Sequence, residues 1–298
     1  MIQSYLTNRT QYVAIDDTNS PPLPITCGVP QGSVLGPLLF LLYINDLHRV
    51  SSILFTILFA DDTTLVASGH NLDLLVSETN QELCKIQNWI SANKLSLNIS
   101  KTNYIFFSKK ANSLPDPISL NGCVIERKHS TKYLGVLINE NLTWHDHILS
   151  IEKKLSCALG IICKARYKLT ALASLLLYDS MFASNLNYCN LIWATTYDSL
   201  LARILNLQKR LLKFCIPKNQ TYIMQGIPVE PMSQYHIFHK LTIYGMRNLQ
   251  LAKFMYNTIY ITPFPQFQPF LQRNETLYHY NTRNKQNFLL LFPQTYQK

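Results

Sequence analysis

The chain has 298 residues, 47% of them apolar, and 27 Lys and Arg against 17 Asp and Glu give a net charge of +10. Such a composition excludes wholesale disorder, and the length accommodates one large domain or two smaller ones with separate cores. The N-terminus shows no basic, apolar and small-residue signal pattern, so no secretory signal is expected. The longest apolar stretches, VLGPLLFLLYI and ILFTILFA, run for 11 and 8 residues. Both fall short of the roughly 18–20 that a membrane span needs, so no membrane partner is expected.

In chain order, residues 12–15 read as a short strand and DDTNSPPLP as turn chemistry, with residues 25–27 placed to return as a hairpin partner. Gly and Pro make GVPQGS a rigid, open stretch, and Ser33 can cap a helix running to about Asp46 or Leu47. That helix is apolar on almost every side, which predicts a core position. Residues 53–60 read as an apolar strand, Asp61-Asp62 as a tight turn and residues 63–67 as the returning strand. Leu72, Leu75, Thr79, Leu83, Ile86 and Ile90 recur at helical steps, and residues 104–107 and 133–138 read as strands. Beyond about residue 140 the pattern turns helical. Ile148, Ile151, Leu155, Leu159 and Ile162 form one stripe; Ile204, Leu207, Leu211 and Cys215 form another. From Pro263 the tail is rich in Pro, Gln, Asn and aromatics and is expected to pack loosely.

Seven cysteines (Cys27, Cys84, Cys123, Cys157, Cys163, Cys189 and Cys215) form an odd set without a CxxC pair. This favours a reducing, intracellular compartment with free, buried thiols. His145 with His147, and His236 with His239, lack any matching cysteine spacing, so no structural zinc is expected. Trp89, Trp144 and Trp193 read as core or interface anchors.

Charge divides the chain. Residues 1–150 hold 10 basic and 12 acidic side chains, whereas residues 151–298 hold 17 and 5. A near-neutral half followed by a half of +12 suggests a chemical module joined to one that holds a polyanion, with nucleic acid the first candidate. A merely solubilising basic surface explains the charge equally well.

The sharpest local feature is ILFADDTTLV, in which Asp61 and Asp62 sit at the tip of an expected β-hairpin. Two adjacent carboxylates repel each other, and a hard divalent cation such as magnesium removes that penalty. An Asp-Asp pair chosen only for its turn propensity fits the local sequence as well. The pair alone does not separate the two readings.

Its surroundings do. GVPQGSVLGPLLFLLYINDL, FADD, WISANKLSLNISKTNYIFF and KYLGVLI occur in that order within residues 28–138. Together they resemble the palm of a reverse transcriptase from a jockey-like non-LTR retrotransposon. The resemblance extends backward to SYLTNRTQYV and forward to LQKRLLKFC and YNTRNKQNF. It implies an α+β fold: an incomplete palm of small antiparallel sheet and packed helices over 1–138, an all-helical, basic, thumb-like region over 139–262, and a tail over 263–298. The implied reaction is RNA-directed DNA synthesis, with RNA template, DNA primer and deoxynucleoside triphosphates as partners and Mg2+ or Mn2+ as cofactor.

By the same resemblance, Asp61 and Asp62 match metal-binding catalytic aspartates, and Lys101 matches a lysine that donates a proton to departing pyrophosphate. Phe59 and Ala60 stand on the floor beside the primer end, and Gln31 and Gly32 line the nucleotide and template side. Gly32 offers the side-chain-free backbone that close approach requires. Tyr133, Leu134 and Gly135 resemble the turn that grips the primer. Lys153, Lys154, Lys164, Arg166, Lys168, Arg203, Lys209, Arg210 and Lys213 fall on expected helices that could track a phosphate backbone, with Tyr167 or Tyr178 stacking on bases.

One part of the pattern is not found. The family's first metal aspartate lies in an earlier strand, and Asp16 and Asp17, inside a Pro-rich turn, do not replace it. The metal is therefore expected to be weakly held, and the chain inactive alone. The rival reading is a non-catalytic relic or retained protein that binds nucleic acid through its basic half.

Overall fold

The computed structural model describes residues 2–26, 28–30, 32–108, 116–215 and 240–261, with two further strands at Leu271–Arg273 and Phe288–Leu290. It mixes helices with small sheets, and the chain divides into two compact units, Met1–His129 and Ser130–Lys298. The division falls earlier than the boundary at 138/139 expected from sequence. The strand Val136–Asn139 packs on the helix that follows it, which draws its hairpin into the second unit.

The first unit opens with α1 (Ile2–Leu6) and two nested hairpin pairs. β1 (Thr10–Gln11) pairs with β4 (Leu23–Pro24), and β2 (Ala14–Ile15) with β3 (Thr18–Asn19). The strand expected over 12–15 thus pairs with Thr18–Asn19, while Leu23–Pro24 returns against Thr10–Gln11 and Ile25 N donates to the Arg9 carbonyl at 2.8 Å; Cys27 lies outside the described residues. α2 (Leu35–Ile44) follows, and Ser33 Oγ accepts a hydrogen bond from Gly36 N at 3.1 Å at its start. β5 (Phe55–Phe59) and β6 (Asp62–Val66) form the central hairpin, and α3 (Leu72–Ala92) packs nearby, its first turn capped by Asn71. β7 (Asn103–Tyr104), β8 (Ser119–Leu120), β9 (Cys123–Val124) and β10 (Glu126–Arg127) complete the unit, with β7 and β10 parallel. Strand structure in the first of the two later segments is thus confined to Asn103–Tyr104.

Ile44, Leu47, Leu54, Val76, Leu83, Ile86, Ile118, Leu120 and Ile125 make up this core. The helical stripe on α3 lands as its period predicts. α2 does not. Leu38 and Leu41 are each 53% exposed and Leu42 66%; only Gly36 and Ile44 are buried. A helix apolar all round needs packed layers on two sides, and the described residues of this unit cover only one. Tyr43 donates its hydroxyl hydrogen to the Asn93 carbonyl, and Trp89 Nε1 lies 3.4 Å from Asp46 Oδ2, pinning the end of α2 to α3.

The second unit begins with the hairpin β11 (Ser130–Tyr133) and β12 (Val136–Asn139), two strands where the sequence suggested one. Leu134 and Gly135 take φ of 44° and 85°, so the chain turns back between them. α4 (His145–Ala165), α5 (Ala171–Leu177), a π-helical turn (Tyr178–Ala183), α6 (Ser184–Asn187), α7 (Asn190–Trp193), α8 (Asp198–Cys215) and α9 (Ile243–Tyr256) follow. α4 and α8 run side by side in one direction: Glu152 Oε2 meets Arg203 Nη2 at 2.7 Å near their starts, and the Arg166 guanidinium lies 4.9 Å from the Phe214 ring near their ends.

All five residues of the α4 stripe are buried, as are Ile204, Leu211 and Cys215 on α8. They pack with Tyr178, Phe182, Leu186 and Trp193 into one core. Each such side chain contributes about 1.5–3 kcal/mol of burial free energy. Of the tail expected from Pro263, only β13 (Leu271–Arg273) and β14 (Phe288–Leu290), an antiparallel pair, lie among the described residues. Among the described residues, Cys84, Cys123 and Cys157 are exposed and only Cys215 is buried, so the described thiols are free but mostly not core residues; Cys27 lies outside the described residues.

A buried amide ties this helical unit together. Gln208 on α8 donates from Nε2 to Tyr178 Oη at 2.7 Å and to the Leu241 carbonyl at 2.9 Å, and its Oε1 accepts from Ile243 N at 3.1 Å. Burial pushes the Tyr178 pKa up to about 12, so the phenol stays protonated. Replacing Gln208 with Leu removes the partner of the buried Tyr178 hydroxyl and Ile243 N–H and of the part-buried Leu241 carbonyl, which should lower unfolding free energy by about 2–4 kcal/mol in urea titrations. Tyr178→Phe, which leaves Gln208 its other partners, should lower it by about 1 kcal/mol.

Candidate functional site

Register and pleat place the two carboxylates differently. Phe59 pairs with Asp62, so Ala60 and Asp61 form the turn, one position earlier than the sequence suggested. Ala60 takes φ of 50°, letting the strands reverse within two residues. Thr56, Leu58, Thr63 and Leu65 share one face of the hairpin, from which Leu58 and Leu65 pack on the core. Phe55, Ile57, Phe59, Asp62, Thr64 and Val66 share the other. Phe59 is 59% exposed and Phe55 68%. Asp61 and Asp62 are both solvent-exposed, so this outer face is an apolar surface with carboxylates at its tip.

The chemistry of the donor set is a test of metal binding. Two neighbouring carboxylates offer hard oxygen ligands, but a magnesium shell needs further ligands or several waters. Among the described residues no group of three or more His, Cys, Asp and Glu could hold a metal ion. Asp61 and Asp62 alone do not make a metal centre. His147 is half of one expected histidine pair and is buried, and His236 and His239 lie outside the described residues.

Within the first unit, Gly32 takes φ of 79° and a Cβ there would meet nothing within 4 Å, so the backbone is open to approach. Gln31 lies outside the described residues. Lys101 closes a 3-10 turn, Ile99–Lys101, where its backbone N donates to Asn98 Oδ1, and its side chain is exposed.

In the second unit, the turn of Tyr133, Leu134 and Gly135 is held from behind. Tyr188 donates its hydroxyl hydrogen to the Leu134 carbonyl at 2.5 Å, and a Cβ at Gly135 would come within 3.1 Å of the Tyr188 ring. Leu137 N donates to His147 Nδ1 at 3.2 Å, fixing β12 to α4. His147 is only 5% exposed and stands edge-on to the fully buried Trp193. The sequence raised His147 only as a zinc ligand beside His145, and gave Tyr188 no role. The one available signal was that His147 precedes Ile151 by a helical step on the buried stripe; Tyr188 had none.

The basic residues sort by face. Lys153, Lys154, Lys164 and Lys168 are exposed along and just beyond α4. On α8, Arg203, Asn206, Arg210 and Lys213 share the solvent side, with Lys209 half-buried at its margin. Arg203 is engaged by Glu152, and Arg166 lies over the Tyr167 and Phe214 rings. Tyr167 is exposed, but Tyr178 is fully buried and stacked on Phe182 at 5.5 Å, so it cannot stack on a base. Trp193, also fully buried, is a core anchor. No helix among the described residues is long and apolar enough to cross a membrane.

Residues 1–138, which hold the FADD hairpin and the Gly32 segment, match the family described as reverse transcriptase (RNA-dependent DNA polymerase). This part of the chain is thus similar to a reverse transcriptase domain. It is 28% identical over 223 residues to the RNA-directed DNA polymerase from mobile element jockey of Drosophila melanogaster, covering 72% of this chain and 24% of that protein. It is 28% identical over 220 residues to the probable RNA-directed DNA polymerase from transposon X-element of the same species, with the same coverage. A third relative, the probable RNA-directed DNA polymerase from transposon BS of Drosophila melanogaster, is 30% identical over 164 residues, covering 52% of this chain and 18% of that protein. The chain thus spans about a quarter of the length of the first two curated relatives. No solved structure matches it.

Desolvation holds the His147 pKa below its ordinary value, and the Lys154 ammonium pushes it the same way. The folded state therefore keeps a neutral imidazole, while the unfolded chain takes up a proton near pH 6.5. The stability from this neutral state is full above that pH and declines as pH falls below it. The melting temperature should drop between about pH 7 and about pH 5, and less steeply in His147→Gln. Thermal melts across that range check it.

Proposed function

We propose that this chain supplies part of the palm and the thumb-like region of an RNA-directed DNA polymerase of a jockey-like non-LTR retrotransposon. The reaction is addition of deoxynucleotides to a primer 3′-hydroxyl under direction of an RNA template. The observation that carries this reading is the coincidence of the exposed Asp61–Asp62 hairpin tip with the reverse transcriptase match over residues 1–138.

On this reading, each part of the chain has a positional task. Asp61 and Asp62 contribute acceptor oxygens, and the remaining ligands of a complete site come from outside the described residues. A divalent ion, magnesium or manganese, supplies charge neutralisation when such a full set is present. Gly32 and Gln31 leave room for a nucleotide, and Phe59 and Ala60 shape the surface beside the primer end. Lys101 holds a proton for the departing pyrophosphate. Leu134 and Gly135, braced by Tyr188, present a backbone turn to the primer. The solvent face of α8 holds the phosphate backbone.

With only two adjacent carboxylates, the chain by itself should show no primer extension on an RNA template with magnesium or manganese. Extension that vanishes in Asp61→Asn would overturn that expectation.

Binding is independent of catalysis. If roughly four to six cations engage phosphates, log affinity should fall with log salt at a slope of about −3 to −5. Exchanging Lys209, Arg210 and Lys213 together for Ala should weaken binding alike on all sequences and flatten that slope, because phosphate contacts carry no base information. Filter retention of single strands and RNA–DNA hybrids at several salt concentrations reads both effects.

A further inference from the structure

Two side chains from the start of the chain grip the Gly32 segment at both ends. Arg9 donates from Nη2 to the Gly28 carbonyl at 2.6 Å and from Nε to the Leu6 carbonyl at 3.3 Å. One guanidinium thus ties the end of α1 to Gly28, which takes φ of 78°. The Arg9 backbone is itself anchored, because its carbonyl accepts from Ile25 N at 2.8 Å. At the far end, Tyr5 on α1 donates its hydroxyl hydrogen to Ser33 Oγ. Ser33 Oγ donates in turn to the Pro30 carbonyl at 2.8 Å and accepts from Gly36 N at 3.1 Å. Its one hydrogen and both lone pairs are therefore used.

Between the two grips the chain turns. Ser33 N donates to the Pro30 carbonyl at 3.4 Å, and Gly32 holds the third position of that turn at φ of 79°, where glycine is favoured. A Cβ on Gly32 would meet nothing within 4 Å, whereas one on Gly36 would come within 2.9 Å of Ser33 Oγ and 3.3 Å of the Val29 side chain. The segment is packed and bonded toward α1 and α2 and bare at Gly32. Tyr5 and Arg9 are both half-buried, and neither has a task in the function proposed above.

We propose that Tyr5 and Arg9 are positioning residues for the incoming deoxynucleoside triphosphate. They act on it only through Gly28, Pro30 and Ser33, by holding the Pro30–Ser33 turn so that the Gly32 backbone stays open to the nucleotide. A loose turn must be ordered when its ligand binds, and that ordering subtracts from affinity; a turn braced beforehand avoids the loss. Only the identity of the ligand rests on the function proposed above; the brace itself does not.

The test uses the full chain and two readouts. Hydrogen exchange followed by mass spectrometry reports on residues 28–36, with α3 as the internal reference. Anisotropy of a fluorescent deoxynucleoside triphosphate, with magnesium and an RNA–DNA hybrid present, reports on binding. Arg9→Gln and Tyr5→Phe should each speed exchange over 28–36 severalfold, leave α3 unchanged and weaken nucleotide binding about three- to tenfold. Arg9→Lys should not restore affinity, because an ammonium keeps the charge but lacks the planar fork that reaches two carbonyls. Full affinity in Arg9→Lys would make Arg9 a charge that meets the phosphates directly, and the proposal falls. Faster exchange with unchanged nucleotide affinity reduces the brace to a folding contact and overturns it too, as does exchange unchanged in both variants. An unsubstituted chain that binds no nucleotide overturns the function proposed above and the nucleotide role with it, whereas the other outcomes overturn the positioning role alone.

Discussion

The helical unit is organised around one buried amide. Gln208 faces inward from α8 and satisfies a phenol, a carbonyl and a backbone N–H on two other elements. This fixes the rotation of α8 about its own axis. With Gln208 inside, Asn206, Arg210 and Lys213 must point to solvent, because helical geometry puts them on the opposite side. The amide also bonds the Leu241 carbonyl and Ile243 N, so the start of α9 is set by a polar contact and then packed by apolar ones. A basic surface in this unit is thus a consequence of how its interior is hydrogen-bonded.

Much of this was legible in the sequence. The stripes on α4 and α8 repeat at helical steps, and burial follows them closely because a period of 3.6 residues leaves little choice of face. The FADD hairpin was equally clear, since two apolar runs around a short polar break have few alternatives. The exact turn was not: Asp61-Asp62 is good turn chemistry, yet cross-strand packing of Leu58 and Leu65 sets the register and pushes Ala60 into the left-handed region. Tertiary demand overrode local propensity there. Periodicity ran one strand through the β11–β12 turn because Leu134 gives no turn signal, and only the family resemblance marked Tyr133, Leu134 and Gly135 as a turn.

Two failures share a cause. α2 was expected inside because it is apolar, and Tyr178 was named with Tyr167 as a residue that could stack on bases. Periodicity and polarity tell how a side chain would like to be placed, but not how many layers surround it or which partner waits inside. For Tyr178 the partner is Gln208, distant in sequence; for α2 the second layer is missing from the described residues of its unit.

The exposed leucines of α2 have a consequence for how copies of such a sequence drift. Leu38, Leu41 and Leu42 contribute little burial to their own unit, so polar replacements there leave its folding nearly untouched. Whatever retains them as leucine must act through something that covers them. Among related copies, erosion at these three positions alongside an intact α3 stripe would mark lineages in which that cover has been lost. Persistence would mark those in which it is still assembled. The helix is therefore a record of use, separable from the record of folding that Val76, Leu83 and Ile86 keep a few turns away.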